Sequence, residues 1–331
     1  MYESYYGLSA DPFKLSPQRG SRFEHPSYLD ARARLGAALQ RERDLLVLTG
    51  RAGTGKTTLL NDILAQWDRS SAPAVRLLTP WLGPDELVRA VSMDFGLAAD
   101  GDTGAILDRL EQFLRREREQ GRPRLLVIDA AHELSPETLN QAVDLTRLAD
   151  SRCAGLRVLL AGQPALAGPS YRRYLGAAVV ARLKGLTAIQ SRRYIEHRLR
   201  EVGWRDDPGI SSRAFALIHL LADGIPRTIN VVCGRLLLHG MLAGKHVLDA
   251  DEVSAVATDL RRESLLESQQ LAFFEAIAVD PPLTLADGPE LAGLPKDAEE
   301  PAIPTLGSTA AIAGTPETTP PIANPQGIHR W

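Results

Sequence analysis

The order of apolar and polar positions divides the chain into two kinds of territory. Between Leu45 and Ala161, short apolar runs alternate with longer segments of helical spacing. Leu45–Thr49, Val75–Thr79, Arg124–Asp129 and Leu156–Ala161 are five or six residues long and mostly apolar, which predicts strands buried on both faces. Between the second and third, Asp85 to Phe95 sets Leu87, Val88, Val91 and Phe95 at helical spacing, and Ile106 to Gln120 does the same with Leu107, Leu110, Phe113 and Leu114. The RREREQ end of that second helix reads as a solvated face, stopped by Gly121 and Pro123. Ser135-Pro136-Glu137 opens a further helix with a capping hydroxyl and a proline at its first position. Strands alternating with helices predict a parallel sheet with its ligand at the C-terminal edge of the strands. From Leu186 the pattern is helical alone: Ser191–Val202, Ser211–Asp223, Pro226–Ala243 and Asp249–Leu260.

The flanks differ from this centre. Residues 1–43 hold an aromatic-rich lead (Tyr2, Tyr5, Tyr6, Phe13, Phe23, Tyr28) and a helix from about Ser27. These aromatics either pack over a bound base or belong to the core, where aromatic residues dominate burial anyway. Residues 263–279 carry a short helix with Phe273 and Phe274. Residues 280–331 are rich in Pro, Ala, Thr and Gly without periodicity, which predicts a disordered tail. The expected parts are therefore a lead and first helix (1–43), an α/β domain (44–185), a small helical domain (186–262), the short helix and the tail.

Composition narrows the class. The 331 residues are 44% hydrophobic and 24% charged, with a net charge of −3. From Glu263 onward ten acidic residues face Lys296 and Arg330, a net of −8, which leaves +5 on the rest. A mildly basic body neither requires nor excludes an anionic partner. No run reaches the ~18 apolar residues of a membrane span, and the N-terminus has neither the basic nor the apolar region of a signal peptide. Cys153 and Cys233 have no second Cys or spaced His nearby and read as small packed residues. A cytoplasmic setting is expected.

The chemistry gathers after the first strand. Gly50, Arg51, Ala52, Gly53, Thr54, Gly55, Lys56, Thr57 and Thr58 form the full G-x-x-x-x-G-K-T pattern between a strand and a helix. Glycines let the backbone turn tightly and aim successive N–H groups at phosphate oxygens. The helix from Lys56 adds its positive end. Lys56 is placed to reach the β- and γ-phosphates, and Thr57 to ligate Mg²⁺. Asp129, at the end of the third apolar strand, is the expected second Mg²⁺ partner, usually through water. Gly50, Asp129 and Gln163 all fall at strand ends, so three motifs converge on one predicted site for ATP or ADP with Mg²⁺.

An α/β nucleotide domain followed by a small helical domain is the AAA+ layout. Within it, residues 1–260 resemble the ExeA/GspA-type AAA+ ATPases of bacterial secretion, pilus and polysaccharide-export systems. The likeness rests on the opening MYESYYGLSADPFKLSP, on GRAGTGKTT, on TPWLGPDELVRAVSMDFGL, on AGQPAL, on RRYIEHRLREVG and on GIPRTIN. The resemblance implies a P-loop AAA+ parallel sheet flanked by helices, with the helical part as a lid. It puts Gln163 at the sensor-1 position and Arg227 at sensor-2, where a lid arginine meets the γ-phosphate. It also implies a homo-oligomer and partners in a secretion or envelope-export system, at the inner membrane through those partners.

Three departures from the family stand out. The family's D-E-A-Q reads Asp129-Ala130-Ala131-His132 here, so the Glu that would polarise the attacking water is Ala130. His132 and Glu133 are the nearest substitutes. The arginine of the family's Gln-Arg-Ile, a trans-acting finger, falls near Leu175-Gly176-Ala177, with Arg172, Arg173 or Arg182 as stand-ins. Many relatives continue into a transmembrane segment and a peptidoglycan-binding domain, where this sequence has the polar tail. A missing base costs ~10²–10⁴-fold in rate and a missing finger about 10³–10⁵, while binding needs neither. The expected protein is a nucleotide-driven assembly or regulatory factor with slow hydrolysis. The alternatives are a non-hydrolysing nucleotide-gated scaffold and a DNA-transposition helper ATPase. The last lacks a clustered basic stripe, and the family opening argues against DNA.

Overall fold

The alternating strands close into one parallel sheet. Its strands are β1 (Leu45–Thr49), β2 (Ala74–Leu77), β3 (Arg124–Ile128), β4 (Leu156–Gly162) and β5 (Val179–Arg182), in the order β2–β3–β4–β1–β5. The computed structural model describes residues 1–15, 22–41, 43–68, 74–78, 82–148, 155–176 and 178–263, all within one compact unit. The expected helix at 263–279 and tail at 280–331 lie outside the described residues, apart from Glu263, and so does Cys153. Helices α1 (Tyr2–Tyr5), α2 (Pro26–Gln40), α3 (Lys56–Asp68), α4 (Pro84–Asp94), α5 (Thr103–Glu119), α6 (Pro136–Asp144) and α7 (Pro169–Leu175) complete the first part of the chain.

Every residue of β3 and β4 is buried, which is why these stretches read as unbroken apolar runs. The pleat sends alternate side chains to opposite faces. Leu46 and Leu48 of β1 join Leu125 and Val127 of β3 in a cluster with Leu35 of α2 and Leu59 and Leu60 of α3. Val47, Leu126 and Ile128 point the other way, into a cluster with Leu87 of α4, Leu110 of α5 and Leu139 of α6. Strand β5, which the apolar pattern does not signal, is a four-residue edge that pairs with β1 from Leu46↔Val179 to Thr49↔Arg182. One position departs from the solvated end expected for α5. Glu117 is buried, and its carboxylate receives Arg122 at 2.8 Å and the buried Arg124 that opens β3.

The second part is helical: α8 (Ala188–Arg200), α9 (Ser212–Ala222), α10 (Pro226–Leu242) and α11 (Ala250–Arg262). A two-residue parallel pair, β6 (Gly209–Ile210) with β7 (Val247–Leu248), ties its loops together. Thr187, Ser211 and Asp249 cap α8, α9 and α11 with side-chain acceptors. The hydrophobic cluster of these helices includes Tyr6, Leu8 and Phe13 from the chain's start, with Cys233 buried among them. Burial pushes the Cys233 thiol pKa up, as befits a packed residue. The lead is fastened there by polar contacts. Arg198 Nε donates to the Pro12 carbonyl at 2.6 Å, Ser9 N–H to the Val202 carbonyl at 2.9 Å and Tyr6 Oη to the Lys245 carbonyl at 3.0 Å. Of the two places open to the aromatic lead, Tyr6 and Phe13 therefore take the core.

The junction between the two parts is tight at Gly224. Its φ is +61°, its carbonyl accepts Leu186 N–H at 2.8 Å, and a Cβ there would lie 2.0 Å from the Leu186 carbonyl oxygen. Gly224→Ala should cost about 3 kcal/mol, combining left-handed strain of about 1–2 kcal/mol with backbone overpacking of about 1–3 kcal/mol. The expected drop in melting temperature is roughly 6–10 °C. An unchanged melting curve would mean that these backbones do not meet in solution.

Candidate functional site

The phosphate-loop motif folds as its residue types require. Thr54 Oγ1 donates to the Arg51 carbonyl at 2.8 Å and closes the turn. Gly53 and Gly55 take φ of +78° and +99°, and α3 starts at Lys56. Lys56 Nζ donates to the carbonyls of Gly50 at 2.7 Å and Arg51 at 2.9 Å, so its ammonium lies folded over the loop. Burial lowers the Lys56 pKa, and the Asp129 charge opposes that shift.

The loop opens into a cleft of about 480 Å³ lined by the loop itself, the lead and the helical part. Gly53 to Thr58 form its floor, and Arg227 of α10 closes one side. The far wall comes from Phe23, His25 and Tyr28 on one side and Tyr194 and Asn230 on the other. Tyr194 Oη donates to Asn230 Oδ1 at 2.8 Å, which fixes the amide. Arg22 is held at the rim by the buried Asp62 at 2.5 Å, and Asp62 also takes the Tyr28 hydroxyl. The helical part touches the phosphate loop directly. Arg227 N–H donates to the Gly53 carbonyl at 3.3 Å, and Arg51 pairs with Asp223 at the end of α9. A Cβ on Gly53 would stand 2.7 Å from the Arg227 Cβ, so glycine is needed both for the turn and for this approach.

On the sheet side, Asp129 follows β3 and its Oδ2 lies 3.4 Å from Thr57 Oγ1. Among the described residues no group of three or more His, Cys, Asp or Glu gathers as a metal cage. A hydroxyl and a carboxylate side by side form an oxygen donor set that fits Mg²⁺, which keeps waters and phosphates in its shell. A residue absent from the sequence reading also reaches this point: Arg76 Nη2 meets Asp129 Oδ2 at 2.7 Å, and its Nη1 meets Asn61 Oδ1 at 2.7 Å. Ala130 is in the left-handed region, with φ 55° and ψ 29°.

The remaining sequence candidates stand apart from the cleft. Gln163 is exposed beyond β4 and does not line it, although Gly162 beside it accepts the Gly50 N–H at 3.2 Å. His132 packs against Gly162, with Nε2 3.8 Å from Glu133 Oε1, and neither side chain lines the cleft. Arg172 and Arg173 on α7 and Arg182 on β5 are exposed and also outside it. The structure thus brings together Gly53 to Thr58 with Arg227, and sets Asp129 beside Thr57. Tyr194, Asn230, Arg76 and Asp223 belong to the same neighbourhood, and the sequence reading passed over them. Tyr194 and Asn230 lie inside two of the quoted family segments, which was the available signal for them.

Known proteins resemble this chain. An AAA-domain family profile matches residues 39–168. General secretion pathway protein A of Aeromonas hydrophila is 31% identical over 267 residues, 78% of this chain. This chain belongs to the ExeA/GspA-type AAA+ ATPase family. It spans 48% of the length of that relative. Among solved structures, Cdc6p from Pyrobaculum aerophilum superposes with a TM-score of 0.58 at 17% identity, covering 76% of this chain and 71% of that one. The Aeropyrum pernix ORC1 protein, solved in complex with DNA, gives 0.52 at 18% identity over 75% and 69%. Both establish the AAA+ fold alone. As a P-loop AAA+ member the chain is a nucleotide-binding protein, and among its described residues no helix is long and apolar enough to cross a membrane.

Proposed function

We propose that this chain is an ATP-driven assembly or regulatory factor of a bacterial secretion or envelope-export system, slow in hydrolysis. The observation that carries the reading is the contact of the helical lid with the phosphate loop itself, through Arg227 to Gly53 and Asp223 to Arg51. A nucleotide in the cleft touches both parts and so biases their arrangement, which is the differential contact that a conformational switch requires. Lys56 and the loop N–H groups bind the phosphates, Arg227 meets the γ-phosphate, and Thr57 would hold Mg²⁺, with Asp129 as a weaker partner because Arg76 shares its Oδ2. That ion would supply charge neutralisation to the bound phosphates. Phe23, Tyr28 and Tyr194 offer aromatic surface to the base. Ala130 brings no carboxylate to the attacking water, and Gln163, exposed outside the cleft, reaches the γ-phosphate as a sensor only if its side chain turns inward from the end of β4.

The same alanine favours a second reading, a scaffold that ATP closes and hydrolysis never resets. The DNA-helper alternative gains nothing from the site. Partner proteins of the export machinery would hold the chain at the inner membrane. The reading is tested by sedimentation of the protein without nucleotide, with ADP and with ATP. ATP should shift the population to a homo-oligomer that ADP does not form. Identical distributions in all three conditions would refute nucleotide-driven assembly.

A further inference from the structure

Asp129 divides its two oxygens between different partners. Oδ1 accepts the Ala130 N–H at 3.0 Å. Oδ2, the oxygen nearest Thr57, is taken by Arg76 Nη2 at 2.7 Å. The register Arg76↔Val127 carries the guanidinium to the end of β3, and Asn61 anchors its other nitrogen one turn along α3 from Thr57. Both side chains of the ion pair are about four-fifths withdrawn from water, at 21% and 18% exposure, so salt screens the pair weakly.

We infer that Arg76 is a built-in counter-cation of the nucleotide site, which occupies the Asp129 carboxylate and makes nucleotide binding depend only weakly on a divalent ion. This rests on the reading of the cleft as an ATP site. Two effects act in the same direction. The guanidinium neutralises the carboxylate that would otherwise draw Mg²⁺, and its positive charge beside Thr57 favours the metal-free tetra-anion. Arg76 is a positioning residue on this account, since it reaches the nucleotide's surroundings through Asp129 and not through the reacting atoms.

The test is calorimetric ATP affinity in Mg²⁺ and in EDTA, for the full chain and for Arg76→Met, Arg76→Lys and Lys56→Ala. In the wild type, chelation should change the affinity by less than about tenfold. Arg76→Met should widen that gap by at least about tenfold, because it removes a unit charge from a partly buried site. Arg76→Lys should keep it narrow, whereas a purely structural arginine would change melting temperature and leave the gap alone. A wild-type gap of about tenfold or more overturns the inference, and so does an unwidened gap in Arg76→Met. The wild-type measurement stands even if the Met variant fails to fold. If Lys56→Ala binds ATP like the wild type, the nucleotide reading itself has failed. If Lys56→Ala loses ATP binding and the Arg76→Met gap is unwidened, only the role of Arg76 has failed.

Discussion

Lys56→Ala should weaken ATP binding by about 10²–10⁴-fold, enough to erase the signal in titration calorimetry. Lys56 is fixed on the loop by two of the loop's own carbonyls, those of Gly50 and Arg51. On the proposed reading of the site, it exchanges those carbonyls for two phosphate groups when nucleotide binds. Each charge-assisted hydrogen bond is worth about 1.5–3 kcal/mol, and about 1.4 kcal/mol is a factor of ten. Its pKa, lowered by burial, adds a pH signature. The charged form binds phosphate, so wild-type affinity should fall as pH rises through that lowered pKa. The Ala variant should show no such fall. Wild-type affinity in Lys56→Ala would place the nucleotide elsewhere.

Ala130→Glu should raise the rate of ATP hydrolysis by ~10²–10⁴-fold, the usual worth of a positioned base. The site otherwise holds the parts for binding, with Asp129 beside Thr57 and Arg227 at the loop. The left-handed backbone at residue 130 already accommodates a Cβ, so glutamate adds little strain beyond what alanine bears. Ala130→Gln has the same shape and cannot accept the proton, so it should stay slow. The assay is steady-state phosphate release across protein concentration, because a finger supplied by a neighbouring subunit acts only after assembly. Equal rates in wild type, Glu and Gln would show that residue 130 does not face the attacking water.

What was legible in the sequence follows from the range of the interactions. The phosphate loop was plain because its turn, its strand and its helix are consecutive. The lid helices announced themselves through local caps: Ser211 accepts the Ala214 N–H, three residues on. Strand β5 was hidden because a short edge strand needs only partial burial, and its pairing with β1 spans the whole domain. The packing of the lead into the lid was equally hidden. It depends on Arg198 reaching the carbonyl of Pro12, 186 positions away. Arg76 is a polar residue within the apolar run Val75–Thr79, where the local pattern gives it no role. Its meaning lies in the register of β2 on β3, which brings it to Asp129 and which no local pattern encodes.

The central claim is that this site fills with ATP and cleaves it slowly. It is tested most directly by mixing wild-type protein with an equal amount of ATP, quenching at intervals and identifying the bound nucleotide by chromatography. A typical enzyme turns over at about 10 s⁻¹, and a missing base slows that by ~10²–10⁴-fold. Bound nucleotide should therefore remain ATP for roughly ten seconds to many minutes. Complete conversion to ADP within about a second would contradict the account.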